Sequence, residues 1–188
     1  MSALFNDETI WYLVRSSGTV AYFFLAASTI WGLVISSKFL KDVVPGQLAL
    51  AMHNYLSWNA IGLTILHAVL LLFSGYMDYE LVNLLIPFTG PYNPFWVGIG
   101  IIGVYLMILT TLTFYIRSRI SYKAFHAVHY LTYAAFVMGL LHSWFAGTDT
   151  LALEMVYLAT GLIVFFLTAY RVLAAWGSRK AVAASSSS

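Results

Sequence analysis

The side chains with chemistry to offer are five histidines: His53, His67, His126, His129 and His142. All of them lie in long apolar stretches rather than in loops. An ionisable residue inside a membrane-length apolar segment is costly and points to function by default. His53 and His67 are 14 residues apart, and His129 and His142 are 13 apart. On helices these are separations of about 21 Å and about 20 Å. Run side by side in the same direction, the two segments bring His53 opposite His129 and His67 opposite His142. Facing imidazoles make an axial pair for a planar iron cofactor, and two such levels make two stacked, non-covalent b haems. A zinc site asks instead for a close tetrahedral group, often with carboxylates, and none lies at these depths. Interhelical hydrogen bonding accounts for a single intramembrane histidine. It does not account for two matched pairs.

The spacing carries one conflict. Fourteen residues return to nearly the same helix face, off by about 40°, whereas thirteen miss it by about 140°. The segment holding His129 and His142 is therefore expected to be irregular, with Gly139 as the place for a kink, or else the two haems are laterally offset. His126 does not relieve the conflict, so it needs another role. With Lys123 it is assigned to the inner haem propionates, which want cationic or hydrogen-bonding partners. For Lys123 the alternative is a plain cytoplasmic flanking charge. Arg15 lies a turn or two into the first apolar stretch, where an unpaired guanidinium is costly. Pairing with outer haem propionates accounts for it, and so does snorkelling to the outer headgroups.

These residues need elements to position them. The chain of 188 residues is 61% hydrophobic and 9% charged, against about a quarter charged in an average soluble domain. That excludes a soluble globule, a disordered chain and a nucleic-acid module, so no nucleic-acid partner is expected. With no cysteine, disulfides, iron–sulfur clusters and covalent haem attachment are excluded as well. Five stretches reach the roughly 20 residues a spanning helix needs: 10–36, 47–76, 95–116, 122–146 and 151–175. The expected fold is an all-α integral membrane protein, a five-helix bundle in one domain over 1–176 with a disordered tail over 177–188. Lys38, Lys41, Arg117, Arg119, Lys123, Arg171, Arg179 and Lys180 fall in three segments on one side. Asp7, Glu8, Asp78, Glu80, Asp149 and Glu154 fall on the other. The positive-inside rule then sets the N-terminus outside and the C-terminus inside. No signal peptide is expected. The outer segment 77–93 is too short to span and reads as a short interfacial helix that ends at Pro87.

Some residues near the proposed haem levels have ordinary explanations. Gly62, Gly98, Gly100 and Gly103 allow either a macrocycle or a neighbouring helix to come close. Trp58 and Phe136 fall between the two levels, in a chain that is 17% aromatic. Met52 and Met138 are possible iron ligands, but the histidines already fill four axial positions.

The chain resembles the ferric-reductase-like transmembrane domain, the haem-carrying membrane core shared by ferric reductases and NADPH oxidases, in the form of its small stand-alone bacterial members. The carrying features are His53…His67 and His129…His142 on alternate spans. Added to these are Ile86-Pro87-Phe88, Tyr92-Asn93-Pro94-Phe95-Trp96-Val97-Gly98, His129-Tyr130-Leu131-Thr132-Tyr133, Leu141-His142 and Gly147-Thr148-Asp149. In such members the position of His126 is often arginine, which fits a propionate role. The resemblance implies two b haems that carry electrons from a cytosolic flavin to an acceptor outside, in a bacterial cytoplasmic (inner) membrane. Larger members continue into flavin and nicotinamide domains. Here about a dozen residues follow Ala175, short of any domain, and no glycine-rich phosphate loop is expected. A separate flavoprotein donor, or a quinol, is therefore expected, with a periplasmic acceptor. Two other readings are a quinol-linked cytochrome b subunit and a histidine-lined metal or proton transporter.

Overall fold

A computed structural model describes residues 6–185, with side chains described over 6–177. Among the described residues every regular element is helical. Helix α1 is Asp7–Ser36, α2 is Gly46–Leu71, α3 is Leu81–Leu85 and α4 is Pro94–Tyr115. They are followed by α5 (Tyr122–His129), α6 (Leu131–Ala146) and α7 (Thr150–Ser185). The ends follow ordinary capping chemistry. The Asn6 side chain accepts from the Thr9 N–H at 2.8 Å, and Ser121 caps α5 through the Ala124 N–H at 3.2 Å. Pro94 opens α4, where its missing N–H is no loss.

Among the described residues four helical segments are long and apolar enough to cross a membrane: Asp7–Ser36, Pro94–Tyr115, Tyr122–Ala146 and Thr150–Gly177. Helix α2 has the length but is not among them, and His53, Asn54, Asn59 and His67 lie along it. The apolar surface is extensive and includes Leu158, Leu162, Phe165, Phe166, Val172 and Leu173 on α7. A patch of that extent suits lipid rather than water as solvent.

Three boundaries differ from the sequence reading. The second stretch was expected to run to Tyr76, but its helix ends at Leu71. The amides of Leu72, Phe73 and Ser74 turn back to carbonyls three residues earlier, so the chain tightens and leaves the helix. Helix α7 continues through Ser185, into the stretch expected to be a disordered tail, and residues 186–188 lie outside the described residues. The irregularity expected near Gly139 occurs instead at Tyr130, between α5 and α6. There the Tyr133 amide bonds the Tyr130 carbonyl, a three-residue step. Gly139 sits inside continuous α6, where a Cβ would meet Leu25. The short helix expected in the outer segment is α3, closed by Glu80 and Asn83 and ending before Pro87.

The packing is that of two backed helices facing each other. Helix α1 lies along α2, α4 lies along α6, and α1 also meets α6 and α7. The histidine-bearing helices, α2 on one side and α5–α6 on the other, are each supported from behind more than they touch one another. Helices α2 and α6 share a buried cluster, a waist. Ala60 and Ala135, both essentially buried, pack there with Ile61 and Met107. Beside the waist, Phe136 packs with Tyr22 and Tyr157. In sequence Ala60 lies midway between His53 and His67, and Ala135 lies between His129 and His142.

Candidate functional site

The four histidines meet in two pairs. The rings of His53 and His129 have centroids 6.3 Å apart at an interplanar angle of 72°. The rings of His67 and His142 repeat both values, 6.3 Å and 72°. The break at Tyr130 follows directly after His129, and both His129 and His142 reach their partners on α2.

The spacing tests the fit of an iron cofactor. A metal–imidazole bond of about 2.0 Å, with about 1.15 Å from ring nitrogen to ring centre, sets two trans rings about 6.3 Å apart. Direct hydrogen bonding between the rings needs nitrogens within about 3 Å. No hydrogen bond joins the two rings of either pair, and a separation of 6.3 Å would leave room for a metal ion between them. Among the described residues no three His, Asp or Glu side chains converge as a cage for a bare ion. Paired axial ligands, not a tetrahedral shell, are what this donor set offers.

The second partners of the rings fix their tautomers. His67 Nδ1 lies 2.8 Å from the Val14 carbonyl and His142 Nδ1 lies 3.1 Å from the Trp96 carbonyl. A carbonyl only accepts, so both Nδ1 atoms donate and both Nε2 atoms keep their lone pairs for a metal. At the other level His53 Nδ1 is 3.5 Å from the Ser28 hydroxyl. His129 Nδ1 is buried without a hydrogen-bond partner.

A cavity of about 380 Å³ surrounds the His67–His142 level. Gly18, Gly100 and Gly103 line it, and Arg15 and Asp149 border it as well. Arg15 Nε donates to Asp149 Oδ2 at 3.0 Å, and Arg15 Nη2 pairs with Asp149 Oδ1. The guanidinium hydrogen bonds hold the Asp149 carboxyl below its ordinary value. At the opposite end the His126 ring lies tilted against Tyr122, ring centroids 3.9 Å apart, and its Nδ1 donates to the Tyr122 carbonyl at 2.9 Å. Lys123 is exposed. His126 and Lys123 lie outside both ring pairs.

Residues 17–140 match the family model of the ferric reductase like transmembrane component. The chain belongs to that family. The match takes in His53, His67 and His129, and His142 lies just beyond it. No match was found among curated proteins or solved structures. As a ferric-reductase-like transmembrane component, the chain is a multi-pass helical membrane protein of a redox family whose members generally bind haem and work with cytosolic flavin domains.

Several features of this site escaped the sequence reading. Gly18 and Gly32 were not singled out, although a Cβ on Gly18 would lie 2.8 Å from His67 Nδ1 and one on Gly32 would lie 3.1 Å from His53 Cε1. Their spacing, 18 to 32, equals that of His53 and His67 and was the available signal. Asp149 was read as an outside charge and not as the partner of Arg15. Among the glycines that were singled out, Gly100 lies against His142, Gly98 against Phe88 and Gly103 near Met138, while Gly62 faces nothing within 4 Å. Gly98-Ile99-Gly100-Ile101-Ile102-Gly103 spells a glycine pattern of phosphate loops, but it lies inside α4 and no loop forms there. Phe136 is buried beside the waist, while Trp58 is exposed and donates to the Tyr115 hydroxyl at 2.8 Å.

Proposed function

We propose that the chain is a five-span transmembrane electron conduit holding two b haems, with its N-terminus outside and its C-terminus inside a bacterial cytoplasmic membrane. On this reading α2 is the fifth span, His53 and His129 hold the inner iron, and His67 and His142 hold the outer one. The observation that carries it is the repeated ring geometry, 6.3 Å and 72° at both levels. Family membership supports the redox class.

A haem bound at either level supplies a one-electron ferric/ferrous couple. The rest is the work of the chain. Helices α2 and α5–α6 present the Nε2 lone pairs, while α1 backs His53 and His67 and α4 backs His142. The Ala60–Ala135 waist keeps the two levels apart and dry. Arg15, tied to Asp149 at the cavity edge, has guanidinium donors left over for outer propionates. Lys123 and His126 serve the inner propionates. The donor is a cytosolic flavoprotein held outside these residues, and the acceptor lies on the outer face.

Haem per chain, read with the dithionite-reduced spectrum of the purified protein, tests the proposal. Two haems with b-type bands are expected. A folded, colourless protein would overturn the reading in favour of a non-redox role. Reduction by a quinol analogue with no flavoprotein present would replace the flavin donor with a quinol.

A further inference from the structure

We infer that Gly18 and Gly100 are positioning residues for the outer histidine pair, and that His129 is the one axial ligand that a small exogenous molecule displaces. The inference rests on the bis-imidazole reading above.

The helix itself supplies the reason. In an α-helix the carbonyl of residue i points at the amide of residue i+4. The side chain at i+4 crowds the approach to that carbonyl from outside. A glycine there removes the crowding and lets another group reach the oxygen. Val14 and Gly18 stand in this relation on α1, and His67 donates to the Val14 carbonyl across Gly18. Trp96 and Gly100 stand in the same relation on α4, and His142 donates to the Trp96 carbonyl across Gly100. A Cβ on Gly100 would lie 2.7 Å from His142 Nδ1. Trp96 is itself held by stacking on Phe145, centroids 4.1 Å apart. The outer rings are therefore gripped at Nδ1 by rigid backbone from two different helices.

The inner level follows the plan only in part. Ser28 and Gly32 repeat the i, i+4 relation on α1, and His53 lies over Gly32. Its Nδ1, however, faces the Ser28 hydroxyl at 3.5 Å, a long contact. Ser28 is also engaged with Ser57 at 2.8 Å. His129 has no glycine seat. Its ring stacks on Phe125 of its own helix, and its Nδ1 is buried without a partner. A metal-bound imidazole with no outer-shell acceptor is less basic and less firmly oriented than one that has it. It is the last residue of α5, directly before the Tyr130 break. His129 is thus the ligand that yields first.

The experiment uses the full chain purified with its haem. Gly18→Ala and Gly100→Ala are compared with Gly62→Ala, whose glycine faces open space. A spectroelectrochemical titration of the purified protein separates the two centres, because the groups behind the axial rings differ between the levels and tune each potential. Each of the first two variants should shift or lose one midpoint, the same one in both, with haem falling at most from two per chain to one. Gly62→Ala should change neither. Carbon monoxide added to the reduced unmodified chain should bind half of the haem, and the centre it takes should be the one those variants leave alone. Indistinguishable midpoints for all three alanine variants would overturn the positioning role. Carbon monoxide on both haems, on neither, or on the centre those variants shift would overturn the role of His129. If an alanine variant does not fold, the carbon monoxide result on the unmodified chain still decides that second part. A wild-type chain that folds without haem would instead sink the bis-imidazole reading itself.

Discussion

The outer and inner histidine levels share one ring geometry but reach it through different supports. At the outer level both Nδ1 atoms meet backbone carbonyls, at 2.8 Å and 3.1 Å, and an Arg–Asp pair borders the surrounding cavity. At the inner level one ring leans toward a serine hydroxyl and the other has no polar partner. Ring separation is thus set by where α2 and α5–α6 stand, and ring rigidity by what α1 and α4 place behind them. Helix spacing is a property of the whole bundle. The grip on each ring is local, so the levels can differ in ligand strength while matching in shape.

Removing a ligand should give the largest effect and is the most direct way to break the comparison. His67→Ala or His142→Ala is expected to halve haem per chain and spare the inner centre. His53→Ala or His129→Ala is expected to spare the outer one. Haem content and a redox titration of each variant check this. Loss of both haems from a single substitution would show that the levels are not independent. Next in size is the waist that separates them. Ala60→Leu forces extra carbons into a site with no exposed surface, and overpacking of this kind costs about 1–3 kcal/mol. Thermal unfolding in detergent should show the loss, and spectra should show both levels disturbed together.

How much of this was legible beforehand depends on the interaction. The 14- and 13-residue spacings indicated which histidines would meet, because rise per residue is the same in every helix. The irregularity in the fourth stretch was legible from the same arithmetic, but its place was not. Gly139 looked like the weak point, yet it is filled by Leu25 within a continuous α6, and the turn loosens at Tyr130 instead. That outcome depends on which neighbour packs where. The same limit applies to Arg15. Its cost inside an apolar stretch was evident, but its partner Asp149 is 134 residues away, across a bundle whose topology had first to be known. Gly18 and Gly32 were hidden for another reason, since a glycine in a membrane helix is common and has meaning only once the ring above it is seen.

The Arg15–Asp149 pair sharpens the comparison at smaller scale, because it borders the outer level only. Asp149→Asn leaves the guanidinium without its carboxylate, so the outer haem potential should shift and the inner should not. The linkage has a definite sign. The folded-state pKa of Asp149 is depressed, so the stabilisation is present above the ordinary aspartate range, near 3.9. It fades as pH falls through the depressed value. The difference in thermal midpoint between wild type and Asp149→Asn should therefore be steady near neutrality and vanish on acidification. A difference that persists at low pH would assign the effect to packing rather than charge.

His126→Ala should have the smallest effect and is the sharpest check on ligand assignment at the weaker level. His126 lies three residues before His129 on the same short helix, close enough to compete for the role by sequence. Its ring instead lies tilted against Tyr122 and donates to that residue's carbonyl, while the ring facing His53 is that of His129. The alanine variant should keep both haems, with at most a shifted inner potential from the altered propionate surroundings. If it lost the inner haem while His129→Ala kept it, the two histidines would have to exchange roles. The inner level would then be the one whose geometry is rebuilt when the cofactor binds, and the match in ring spacing between the levels would hold for the outer pair alone.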